Sequence, residues 1–127
     1  MKFLEAKIIS FIRKKDHSEL GFGVSEIYGN VVKCFAYLSI ILELSKGREI
    51  TGYDILDHIS GFGLAVSAGT VYYQLGMLEK VGLVEAKRVR HGQSYKKVYT
   101  MTEKGIEVFR EFRKIWRKPL EYAYKSL

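Results

Sequence analysis

The sequence predicts a mainly α-helical chain that carries one small antiparallel β-hairpin. Three observations lead there. Apolar residues recur every three or four positions through five separate stretches, the period of an amphipathic helix. Between residues 83 and 101 the pattern changes, and "LVEAKRVR" and "YKKVYTM" flank the turn "HGQS". Two Val-, Tyr- and Thr-rich runs around a glycine-containing turn read as a hairpin. The only proline is Pro119, so forced breaks are few.

Taken in order, residues 3–15 space Leu4, Ile8, Phe11 and Ile12 as one helix face and end in a basic cluster. Residues 16–30, with three glycines, read as a connection. Asn30 is the expected N-cap of a helix over "VVKCFAYLSIILELSKG". Its apolar stripe of Val31, Phe35, Leu38 and Leu42 is widened by Val32, Tyr37, Ile41 and Leu44, more face than one small domain covers. Gly47 closes it. Thr51 caps the next helix, which turns Ile55, Leu56 and Ile59 inward and stops at Gly61. Ser67 opens a helix over 67–81 that buries Val71, Leu75 and Leu78 and ends at Gly82. After the hairpin, Thr102 caps a last helix with Ile106, Phe109, Phe112 and Trp116 along one side, which Pro119 should break or kink.

At 127 residues one domain is the default. The organisation reads as an N-terminal amphipathic helix and connection (1–30), a central domain (31–101) and a C-terminal helix (102–127). The net charge is +7, which suits a polyanionic partner. Cys34 is the single cysteine, so no disulfide forms within the chain, and its apolar neighbours suggest a buried small hydrophobe. The N-terminus lacks the pattern of a signal peptide. The longest apolar run, residues 34–44, is too short to span a bilayer. Together these suggest an intracellular, cytoplasmic protein with no membrane role. His17, His58 and His91 stand apart from one another and from acidic or cysteine clusters, so no metal site is expected. Asp54 and Asp57 share one side of a helix, which is more often helix charge than a catalytic pair. With no nucleophile–base pair and no phosphate loop, neither an enzyme nor a cofactor is expected.

Three helices followed by a two-stranded hairpin form the winged helix-turn-helix plan. In that plan the third helix, here 67–81, enters the DNA major groove and the hairpin, the wing over 83–101, lies on backbone or minor groove. Gly69 in the first turn keeps bulk away from a duplex. Ser67 begins the helix whose free N–H groups suit a phosphate. Thr70, Tyr73 and Gln74 are expected to face outward, Thr70 and Gln74 toward base edges and Tyr73 toward phosphate. The wing supplies Lys87, Arg88, Arg90, Lys96 and Lys97, with His91 and Gln93 at its tip. Tyr53 and Tyr72 are weaker phosphate candidates, and Glu79 reads as a structural ion-pair partner. A winged helix used only for protein interaction, a non-specific architectural DNA binder, and membrane association of helix 3–15 are the competing readings.

Three motifs then carry a resemblance. "GYDI" at 52–55, "GTVY" at 69–72 followed by Leu75, Leu78-Glu79 and Gly82-Leu83-Val84, and Tyr99, Met101, Thr102 and Gly105 stand in the order of the PadR-like transcriptional regulators. The chain resembles that family over about residues 36–108. Tyr73 stands where the family often has proline, and Gly76 and Met77 where polar or basic residues are usual. The resemblance implies a homodimeric regulator of double-stranded DNA, often a repressor, reading an inverted repeat. It places the dimer interface on Phe35, Leu38, Phe109, Phe112 and Trp116. A small planar aromatic effector at that interface is a further partner it suggests.

Overall fold

The computed structural model describes residues 22–127. The helix expected at residues 3–15 lies outside them. The order is α1 (Phe22–Ser45), α2 (Gly52–Ser60), α3 (Ala68–Lys80), β1 (Val84–His91), β2 (Ser94–Met101) and α4 (Glu103–Ser126). This is the expected class, mainly helical with one antiparallel hairpin.

α1 begins at Phe22, not Val31, and absorbs much of the stretch read as a connection. Asn30 is an exposed residue inside the helix and caps nothing. Propensity is a weak prior, and tertiary contacts override the two helical glycines. Tyr28 reaches the loop after α2, where its hydroxyl accepts a hydrogen bond from the Ala65 N–H at 3.2 Å. The added turns make α1 long and apolar enough, by length and composition alone, to cross a membrane. Its inner side shows a core helix instead: Ala36, Ile40, Ile41 and Leu44 are buried and meet Ile55, Ile59, Val71, Leu75 and Phe109. Cys34 corrects an expectation, because it is exposed and not buried.

Local signals set the other helix starts. Thr51 Oγ1 accepts from the Asp54 N–H at 3.1 Å while the Asp54 carboxylate accepts from the Thr51 N–H at 2.9 Å, a complete capping box. Ser67 Oγ accepts from the Thr70 N–H at 3.1 Å. Thr102 accepts from the Gly105 N–H at 3.0 Å and donates to the Gly82 carbonyl at 2.7 Å, so one hydroxyl joins the end of α3 to the start of α4. α2 closes against α3 at Gly52, where any side chain would run into the Tyr72 ring.

The hairpin pairs Val84 with Met101 through to His91 with Ser94, around Gly92 at φ 64°. A two-stranded hairpin alone is marginal in water. This one is pinned at its root by Ile50, whose N–H donates to the Tyr99 carbonyl at 3.0 Å and whose carbonyl accepts from the Tyr99 N–H at 2.7 Å. α4 then runs on to Ser126 with Pro119 inside it, where a break was expected. Proline removes one N–H and frees the carbonyl four residues back. That carbonyl belongs to Ile115, which is exposed, so water can take its place as partner.

Candidate nucleic-acid interface

α3 presents two faces of different character. Val71, Gln74, Leu75 and Leu78 are buried. Gly69, Tyr73, Gly76 and Lys80 are exposed and, at positions i, i+4, i+7 and i+11, form one outward strip. The fold does not need either glycine. A methyl at Gly76 would meet nothing within 4 Å, and one at Gly69 only Ser67 Oγ at 3.9 Å. Gly76, in the helix interior, nevertheless costs roughly 1 kcal/mol against alanine. The strip is therefore bare at a cost, apart from Tyr73, which is 66 % exposed, and Lys80 at its far end. Ser67 and Thr70 sit at its N-terminal end with their hydroxyls 2.9 Å apart.

Gln74 is the clear correction. It is 2 % exposed and faces α1, donating its amide N–H to the Lys33 carbonyl at 3.0 Å. It clamps two helices together and offers no atom to a groove. Its Oε1 has no hydrogen-bond partner.

The hairpin register divides the five wing cations, because cross-strand partners share a face of the pleat. Arg88 and Lys97 are directly paired, and Arg90 pairs with Tyr95 on the same face. Lys87, opposite Val98, and Lys96, opposite Val89, share the other. Like charges directly opposed destabilise a ladder. Lys97 is relieved by Glu79, 3.4 Å away, and stands 5.5 Å from the Tyr99 ring centroid. Glu79 is thus the structural partner its sequence position suggested, and it ties wing to α3. Arg88 has no ion-pair partner among the described residues. Arg90 Nε donates to the Gly92 carbonyl at 3.4 Å, and Ser94 Oγ to the His91 carbonyl at 3.2 Å, which orders the tip beside His91 and Gln93.

Sequence reasoning missed two residues. Lys33 and Tyr37, one turn apart on α1, line a cleft of about 450 Å³ together with Ser67, Gly69, Thr70, Tyr73 and Gln74. Burial, and then the neighbouring Tyr73, raises the Tyr37 pKa above its ordinary value, so its phenol is a neutral hydrogen-bond donor at physiological pH. The i, i+4 spacing of Lys33 and Tyr37 was readable, but nothing in the sequence placed that face beside α3. Tyr53 is exposed, and Tyr72 is half-exposed with its ring over Gly52.

Of the five residues expected at a dimer interface, Phe109 is 2 % exposed and belongs to the chain's own core. Phe35 is half-buried, with its ring 5.5 Å from that of Phe62 in an edge-on contact. Leu38 and Phe112 are also half-buried. Trp116 is tilted at 46° to Phe112 and partly exposed. Ile115, Leu120, Tyr122 and Tyr124 add exposed apolar or aromatic surface on α4. Between α1 and α4 lies an apolar cavity of about 370 Å³, lined among others by Cys34, Leu38, Phe112, Trp116 and Leu120.

The family model of the "Transcriptional regulator PadR-like family" matches residues 41–111. No curated protein matches. Among solved structures, the chain is similar to a PadR family transcriptional regulator from Eggerthella lenta, at 24 % identity over 83 % of this chain and 96 % of that one, with a TM-score of 0.59. A PadR-like transcriptional regulator from Bacillus cereus is 25 % identical over 76 % of this chain and 90 % of its own, with a TM-score of 0.55. Bacillus subtilis PadR, solved in complex with operator DNA, is 24 % identical over 61 % of this chain and 45 % of its own, with a TM-score of 0.53.

Proposed function

The chain belongs to the PadR-like family of transcriptional regulators, and from that premise we propose that it is a sequence-specific DNA-binding repressor acting in the cytoplasm as a homodimer on an inverted-repeat operator. α3 lies in the major groove and the wing over 83–101 rests on backbone or minor groove. The observation that carries this reading is the outward strip of α3. Two helical glycines that the fold itself has no use for leave room for something to approach the helix backbone closely. Thr70 reads base edges from the helix, and Tyr73 bonds phosphate. Arg88, Arg90, Lys87 and Lys96 neutralise phosphates, which removes the repulsion the hairpin carries when free. Lys97 exchanges Glu79 for a phosphate.

The second copy covers the α1–α4 face. Trp116, Ile115 and Leu120 are too apolar to stand exposed together without a partner, and Leu38 and Phe112 continue the same surface. The apolar cavity beside Trp116 is the seat of a small planar aromatic effector.

A salt series of fluorescence anisotropy with a random duplex pool, followed by sequencing of the retained fraction, tests the proposal. It predicts binding that falls steeply with salt and an inverted repeat among the survivors. Equal affinity for single strands and duplexes at moderate salt would sink it.

A further inference from the structure

The cleft between α1 and the first two turns of α3 is not explained by the groove helix or by the wing. Its walls come from Lys33 and Tyr37 on one side and from Ser67, Thr70 and Tyr73 on the other, over the buried Gln74. We propose that this cleft seats a backbone phosphate of the bound duplex, with Lys33 as its cation; the inference rests on the reading of α3 as the groove helix. It assigns a nucleic-acid contact to α1, an element with no part in the interface so far.

Four features of the cleft favour an oxyanion. It opens at the N-terminal end of a 13-residue helix, where main-chain N–H groups lack intrahelical partners and the helix dipole is positive. Lys33 is exposed and has no ion-pair partner among the described residues. No carboxylate lines the cleft. Tyr37 and Tyr73, which line the same space, add neutral phenol donors.

Gln74 supplies the independent sign that the cleft is incomplete. The residue is 2 % exposed, and its amide nitrogen is committed to the Lys33 carbonyl. What is left over is an acceptor, Oε1, with no donor. Gln74 lines the floor of the cleft with that acceptor unmet, and it acts through α1 and not on a base edge.

The test compares wild-type protein with Lys33→Gln and Lys33→Arg, and with Lys118→Gln as a control that removes one charge from the polar side of α4. Binding to the selected operator and to a random duplex is measured across a salt series. Each neutralised phosphate contributes about 0.9 to the slope of log affinity against log salt. One seat per protomer predicts that Lys33→Gln flattens the slope by about 1.8 for a homodimer. By the same relation affinity falls about fivefold per seat at 0.15 M salt, alike for operator and random sequence. Lys33→Arg should restore most of both, and Lys118→Gln should change neither. Replacement of the Lys33 side chain leaves its carbonyl, and so the clamp to Gln74, in place.

If Lys33→Gln behaves as Lys118→Gln does while the wild type still binds DNA steeply, the seat is wrong and the groove reading stands. If the wild type shows no salt-dependent duplex binding, both fall. A calorimetric titration with inorganic phosphate alone separates the two sources of the anion. Millimolar saturation of the wild type that Lys33→Gln abolishes, with unchanged DNA slopes, would make this a free-phosphate site and overturn the proposal.

Discussion

Gly76→Ala separates what the fold needs from what its partner needs. Gly76 lies in the middle of α3, exposed, and a methyl there meets no atom within 4 Å. No cavity is filled and no clash is made, so the only folding effect is backbone entropy and propensity. Alanine should stabilise the protein by about 0.5–1 kcal/mol. For a chain of this size that raises the melting temperature by roughly 2–5 °C. On DNA the sign reverses. If the groove wall comes into contact with the bare strip, an added methyl forces the helix outward, with a penalty of the order found for overpacked protein cores, about 1–3 kcal/mol per site. That is a loss of roughly 5- to 150-fold in operator affinity per half-site. Urea denaturation and anisotropy on the same preparations give both numbers. An alanine variant that is more stable and binds the operator as well as wild type would refute the close approach. A variant less stable than wild type would refute the open space around Gly76.

Three further outcomes follow from the geometry. Gln74→Leu removes both the orphaned acceptor and the bond to Lys33; the two effects oppose each other, each on the order of 1 kcal/mol, so stability should stay within about 1 kcal/mol by urea denaturation. The sequence retained in a duplex selection should not change, whereas a base-reading glutamine would alter it. Arg88→Ala removes the like-charge pair with Lys97; the fold should be unaffected or gain a few tenths of a kcal/mol while the salt slope of DNA binding drops by about 0.9 per contact. Thr51→Ala deletes the capping box of α2 and should destabilise the protein by about 1 kcal/mol in thermal or urea unfolding, with DNA binding at saturating stability unchanged.

Much of this molecule is legible in its sequence where the signal is local. Thr51, Ser67 and Thr102 cap as read, because a capping hydroxyl and its N–H lie within three residues. The hairpin is fixed by turn chemistry and alternation around Gly92. The start of α1 was not legible, since Gly21, Gly23 and Gly29 argue locally for a connection and only the distant contacts of α1 keep the helix going. Gln74 is more instructive. Its place between Val71 and Leu78, three residues from one and four from the other, is an inward position, and here helical spacing overrides the polarity of the side chain. Phe109 shows a different limit. A stripe of Phe109, Phe112 and Trp116 says that the face is covered, but not whether the cover is the same chain or another.

The Ile50–Tyr99 bridge divides the wing into two mechanical parts. From Val84 to Ala86 and from Tyr99 to Met101 the ladder is part of the core, because a third stretch of backbone locks it. Beyond the Lys97–Glu79 ion pair, which ties the next rung to α3, three residue pairs, Val89–Lys96 to His91–Ser94, project freely, an arm of roughly 10 Å at about 3.3 Å per residue. Amide hydrogens at the root should exchange on the timescale of global unfolding and those of the arm much sooner. On the proposed duplex the arm would bend to fit grooves of different width while the helix it is anchored beside keeps its aim. Changes of sequence at the tip are therefore mechanically cheap and leave the body that holds it undisturbed.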